Sequence, residues 1–204
     1  MRRFLIIGFI IALLIATPLV AYFLINQKTQ TKSNANPASS LSFEQLSNPA
    51  VVGQAFPIKV FVNPSSNGTS NQVSFIKMTI TYDGSKLKAD NNSFVSDPAF
   101  PVTLEGPTNT CTGTTCTISV TLSIGPDPTK AVNSQTTVGT ITFTPLAPTD
   151  ANAPTPLGFA SGTQILSLAT SDQPAENVFT RGIPTTVTIL SVADASGTPV
   201  PTDT

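Results

Sequence analysis

"IKMTITYDGSKLKAD", Ile76 to Asp90, decides how this chain is read. Its first half alternates: Ile76, Met78, Ile80 and Tyr82 fall on one side, Lys77, Thr79 and Thr81 on the other. A period of two marks a strand with one buried face. Its second half is a polar corner. Asp83 carries a short side chain that bonds back to the backbone, and Gly84 has a free φ. Leu87 then returns the chain to the core. A strand-ending turn accounts for every residue type in the corner. A metal or catalytic role for Asp83 would need partners, and Asp90 is the one carboxylate near it in sequence.

The same period recurs on both sides. In "AFPIKVFVN", Phe56, Ile58, Val60 and Val62 share a face. "LSFEQL" opens the series, "NSFVS" and "FPVTLEG" are weaker members, and "CTISVTLSI" and "TVGTITFTPL" are strong ones. "TQILSLAT" and "TTVTILSV" close it. Helix formers are scarce after residue 40 and 18 prolines punctuate the chain, so no helix of three turns is expected. Many short strands with turn signals between them predict an all-β fold, an antiparallel β-sandwich of two sheets. No internal repeat is found, so one domain is expected.

The first residues are of another kind. Residues 4–25, "FLIIGFIIALLIATPLVAYFLI", carry no charge. About 20 apolar residues suffice to span a bilayer as a helix, and Pro18 is tolerable within one. A cleaved signal peptide is the alternative, but its apolar region should be shorter and end at a small-x-small site. The residues near Ala21 fit such a site poorly, which favours an uncleaved signal anchor. Arg2 and Arg3 precede the run, placing the N-terminus in the cytoplasm and the rest outside, in an extracytoplasmic location on the cell membrane. The expected organisation is therefore a transmembrane anchor over 1–27, a flexible polar stalk over 28–40, a β-sandwich over 41–192, and a disordered tail over 193–204.

Composition removes several function classes. Beyond Arg2 and Arg3, 8 of the 10 basic residues face 11 acidic ones, so there is no basic field for nucleic acid. Without histidine, the Ser-His-Asp and Cys-His relays cannot form, and zinc lacks an adequate ligand set. No glycine-rich phosphate loop and no D-x-D-x-D-G calcium loop occurs. The carboxylates sit beside Gly, Pro, Asn or Ser, as surface-turn residues do, and not as a glycosidase pair. The chain is read as no enzyme and as carrying no cofactor. Sugar platforms use exposed aromatic faces. This chain has no Trp, Tyr82 points inward, and Phe75 and Phe100 are better read as packing residues.

The two cysteines stand in "TCTGTTCTISV", with four residues between Cys111 and Cys116. Two ligands are too few for a metal, and the spacing is not C-x-x-C. Gly113-Thr114 suits a two-residue turn with Gly at the first central position. Thr112 and Thr115 then close the hairpin, and Cys111 and Cys116 fall opposite each other at the next, non-hydrogen-bonded pair. Cα atoms there lie about 4.5 Å apart, within reach of a disulfide. An exported location permits the bond. So short a loop removes little chain entropy, so the expected role is to pin the hairpin register.

The corner also resembles a family. "ITYDGSKLKAD" is similar to the strand and corner of cohesin domains, where a hydrophobic strand runs into Tyr-Asp-Pro-x-x-Leu; Gly84 stands here in place of the Pro. "LSFEQLSNPAVVGQAFPIKVFVN" looks like the opening of such domains. "TTVGTITFTPLA" looks like their late Gly-x-x-x-Phe strand, and "LGFASGTQILSLATSDQPAENVF" like their penultimate part. The resemblance covers residues 41–192. It implies about nine strands in jelly-roll topology, akin to some carbohydrate-binding modules. It also implies a non-catalytic adhesion role, because cohesins hold dockerin domains. In cohesins an outward Asn and Asp on this strand help hold the partner; counting back from Tyr82, Phe75 and Lys77 stand at those places. The candidate partner-binding face is Phe75, Lys77, Thr79 and Thr81. The expected partner is dockerin-like or another surface protein. A polysaccharide ligand, as for a carbohydrate-binding module in polysaccharide catabolism, is the alternative.

Overall fold

The computed structural model describes residues 37–66, 69–150, 152–169 and 174–195. In chain order the strands are β1 (Ser39–Phe43), β2 (Ala50–Val51), β3 (Phe56–Asn63), β4 (Ser65–Ser66), β5 (Thr69–Ser70), β6 (Val73–Asp83), β7 (Leu87–Lys88) and β8 (Phe94–Ser96). They continue with β9 (Val102–Thr112), β10 (Thr115–Ser123), β11 (Thr136–Pro145), β12 (Thr155–Phe159), β13 (Gln164–Ser167), β14 (Phe179–Ile183), β15 (Thr185–Val187) and β16 (Ile189–Leu190). Two six-stranded sheets dominate. The first runs β14-β1-β3-β11-β7, with β8 also on β11. The second runs β15-β12-β6-β10-β9, with β13 also on β6. The expected all-β sandwich is present, with more and shorter strand segments than the nine anticipated.

The core lies where period two places it. Ile58, Val60 and Val62 of β3, Ile76, Met78, Ile80 and Tyr82 of β6, and Ile118, Val120 and Leu122 of β10 are all buried. Val138, Ile141 and Phe143 of β11 are buried as well. Burying apolar area of this kind stabilises by roughly 25 cal/mol per Å². Phe143 meets Tyr82 edge-on, ring centroids 5.2 Å apart, and lies 6.1 Å from Phe56. Phe100 is fully buried, a packing residue as expected.

Three expectations need correction. The sandwich is not wholly antiparallel, because β1 pairs in parallel with β14, and β16 with β2. These pairs join the two ends of the domain, and nothing local in the sequence marks contacts between segments so far apart. The stalk does not reach residue 40. Ser39 is fully buried in β1, its N–H donating to the Val178 carbonyl (2.9 Å) and its Oγ to that of Pro64 (3.2 Å). A small hydroxyl with partners is tolerated inside, whereas composition alone assigns "ASS" to the stalk. The tail expected over 193–204 begins inside a helical turn, α1 (Val192–Ala195). Among the described residues no helix is long and apolar enough to cross a membrane. The apolar run over residues 4–25, like the rest of the expected anchor over 1–27, lies outside the described residues.

Candidate functional site

Phe75, Lys77, Thr79 and Thr81 lie side by side on the outer surface of the second sheet, because their neighbours in β6 point into the core. β6 is central in that sheet, so each is the middle of a cross-strand row. Thr81 stands between Thr117 of β10 and Gly158 of β12. Thr79 stands beside Ser119, the two hydroxyls 3.3 Å apart. Lys77 lies between Thr121 and Gln164, and Phe75 between Ser123 and Leu166. On the far side β9 adds Thr110, whose hydroxyl is 2.9 Å from that of Thr117, and Glu105, which accepts from the Thr121 hydroxyl at 3.2 Å. Sequence reasoning named one strand of this surface and missed what flanks it. The flanking residues follow from the register of β6 with its neighbours, which alternation within one strand does not report.

The face is hydroxyl-rich and sparsely charged. Lys77 is exposed and forms no ion pair among the described residues. Glu105 lies two strands away in the same row, about 10 Å at the usual strand spacing. Phe75 is half-buried beside Leu166 at one end and offers little ring surface.

At the opposite end the face runs into the corner. Tyr82 is buried, and its hydroxyl donates to Asn109 Oδ1 at 2.9 Å. The Asn109 amide donates in turn to the Ala89 carbonyl. Asp83 Oδ1 accepts from the Ser85 backbone N–H (2.8 Å) and from its hydroxyl (2.6 Å), the turn chemistry its residue type suggests. The Gly84 N–H donates to the Thr114 carbonyl at 2.7 Å, and a Cβ on Gly84 would strike Cys116 Sγ. The corner is thereby fastened to the tip of the β9–β10 hairpin.

That tip is closed as expected. Cys111 and Cys116 form a disulfide with Cα atoms 4.0 Å apart. Thr112 pairs with Thr115 and Cys111 with Cys116, and Gly113 takes φ +62°, the sign its turn position requires. Between hairpin tip, corner and β12 lies an open depression of about 350 Å³, lined in part by Asp83, Thr114, Pro156, Gly158 and Pro184.

Three other carboxylates, Asp90, Asp97 and Asp127, are occupied with local geometry. Asp90 pairs with Lys88 at 3.1 Å and is not brought to Asp83's partners. Asp97 Oδ1 accepts from the Ala99 N–H at 3.0 Å. Asp127 accepts from the Thr129 hydroxyl (2.7 Å) and N–H (3.0 Å), which hold its carboxyl below the ordinary aspartate value. Among the described residues no group of three or more Cys, Asp or Glu side chains is placed to hold a metal ion.

No family model matches the sequence, and no curated protein matches it. Solved structures do. The seventh ScaB type I cohesin from Pseudobacteroides cellulosolvens aligns over 76% of this chain and 94% of its own, with a TM-score of 0.56 at 14% identity. A chain of the Clostridium thermocellum type I cohesin–dockerin complex Coh-OlpC-Doc435 aligns over 76% of this chain and 95% of its own, at TM-score 0.53 and 8% identity. A chain of the Coh-OlpA-Doc918 complex from the same species gives 75%, 99%, 0.52 and 12%. At such identities the likeness is one of fold. The described domain is a β-sandwich of cohesin-like fold.

Proposed function

We propose that this chain is a non-catalytic binding module that holds a protein partner on the outward face of β6 and its neighbours, tethered outside the cell by its N-terminal segment. The observation that carries the reading is the face itself. It is a long, hydroxyl-lined surface on the central strand of the second sheet, and it carries Lys77, a cation with no ion pair among the described residues. The two complexes whose chains share the fold are described as cohesin–dockerin complexes, so a dockerin-like partner is the first to test. Lys77 stands where the family resemblance places an acid, so the facing partner surface should carry an acidic group. Polysaccharide is the alternative ligand.

The full-length chain, immobilised, is expected to capture a protein partner. Lys77→Glu reverses that charge, and Thr79→Arg plants a bulky cation beside it. Each is expected to weaken capture at least about ten-fold, roughly 1.4 kcal/mol. Capture untouched by both changes would place the partner elsewhere. Binding to a glycan array with no protein captured would favour the polysaccharide reading.

The anchor is proposed on the uncharged run over residues 4–25 and the preceding Arg2 and Arg3. The chain is expected at full length in the membrane fraction, exposed to added protease from outside. A product shortened near Ala21 and free in the medium would mean a cleaved signal peptide instead.

A further inference from the structure

The depression at the corner end of the face has a chemistry of its own. Gly158 lines it, and any other residue there would project a side chain toward the Thr81 hydroxyl and into the depression. Pro156 and Pro184 supply rigid apolar surface, and Thr114 and Thr115 line the side formed by the hairpin tip. The one ionisable acid lining it is Asp83. Both of its hydrogen bonds fall on Oδ1, from Ser85, which leaves Oδ2 without a donor among the described residues. No cation compensates it among the described residues. The nearest lysines in sequence are engaged: Lys86 Nζ donates to the Pro148 carbonyl at 2.7 Å, and Lys88 pairs with Asp90. The side formed by the hairpin tip is fastened to the corner by the Gly84–Thr114 hydrogen bond, and the disulfide closes the hairpin behind it.

A depression that offers proline surface and an uncompensated carboxylate is complementary to a long aliphatic stem with a cationic head. We infer that this depression receives an arginine or lysine side chain of the protein partner, with the stem on Pro156 and Pro184 and the head at Asp83 Oδ2. The inference rests on the proposed binding face and adds to it a second, oppositely charged contact. Asp83 is six residues along β6 from Lys77, about 20 Å at the rise of a strand. A partner docked along β6 would therefore present an acid at one place and a base about 20 Å away, which fixes its direction on the face.

The test needs no partner. The full-length chain, labelled with ¹⁵N, is titrated with the peptide acetyl-Gly-Arg-Gly-amide and with its citrulline counterpart, which keeps the shape and loses the charge. The arginine peptide is expected to shift the amide signals of Gly84, Thr114, Thr115 and Gly158, and the citrulline peptide to leave them in place. Asp83→Asn keeps Oδ1 as acceptor for Ser85, so the turn persists, and should abolish the response. Gly158→Val, whose Cβ would stand 3.3 Å from Thr81 Oγ1 and whose side chain would project into the depression, should abolish it too. Equal shifts from both peptides, shifts that survive Asp83→Asn, or no shift at millimolar peptide would each overturn the inference. If capture depends on Lys77 while the depression ignores arginine, only the depression's role fails. If the depression answers to arginine while capture ignores Lys77, the binding-face reading fails instead.

Discussion

Phe143→Ala is expected to destabilise the domain by about 3–5 kcal/mol, the range for truncating a large ring in a packed core. That is a large share of the roughly 5–15 kcal/mol by which domains are stable. Phe143 has no exposed surface, and its ring lies against Tyr82 of the opposite sheet and Phe56 of the neighbouring strand. Removing it leaves a void between the sheets and deprives Tyr82 of its edge contact, at the strand end where the corner begins. The unfolding midpoint should fall by about 10–15 °C for a domain of this size. Thermal unfolding followed by circular dichroism measures it. Val95→Ala, on the same sheet but 66% exposed, is the control and should stay within about 0.5 kcal/mol. A Phe143→Ala midpoint as close to wild type as the control's would mean the two sheets are not held together as described.

Signals carried within one strand or one turn were legible in the sequence. β3 and β6 alternate cleanly because one face of each is core and the other is not. The disulfide hairpin was legible because its register is set by two central turn residues. The missed parts have physical reasons. β12 reads "TPLGF" and β14 "FTRGI", and both carry residues that ordinarily mark loops. Gly182 is needed in β14 because a Cβ there would sit 2.5 Å from Phe159 Cδ2, whose ring stacks on Phe43 at 4.5 Å. β9 shows no clear alternation because it is an edge strand, exposed along nearly its whole length. The candidate face was accordingly half visible. Its central row came from β6, whereas the depression beside it needs Pro156 and Gly158 from a strand with no recognisable pattern.

Gly139 belongs to the same Gly-x-x-x-Phe segment as Phe143, and Gly139→Val is the second large effect expected. Gly139 is buried in β11 opposite Ser96 of β8, at a point where the pairing of β11 with β3 is irregular. A Cβ there would lie 2.6 Å from the Val95 carbonyl oxygen and would also strike the Phe94 ring. The oxygen is backbone and cannot rotate away, and Phe94 is buried, so β8 as a whole must move off β11. Overpacking of this kind costs about 1–3 kcal/mol, and displacing Phe94 from the core adds to it. Thr142→Ala, on the exposed side of the same strand, changes no packed contact and should be near neutral. Denaturant unfolding gives the energy, and amide exchange locates it. The N–H of Asp97 and of Thr142, which donate to Val138 and Ser93 across the β8–β11 pair, should lose protection first. β8 is short and belongs to the first sheet, whereas the candidate face belongs to the second. Partner capture by the folded fraction should therefore persist. Loss of capture in proportion to lost β8 protection would place the partner on the first sheet and count against the face on β6.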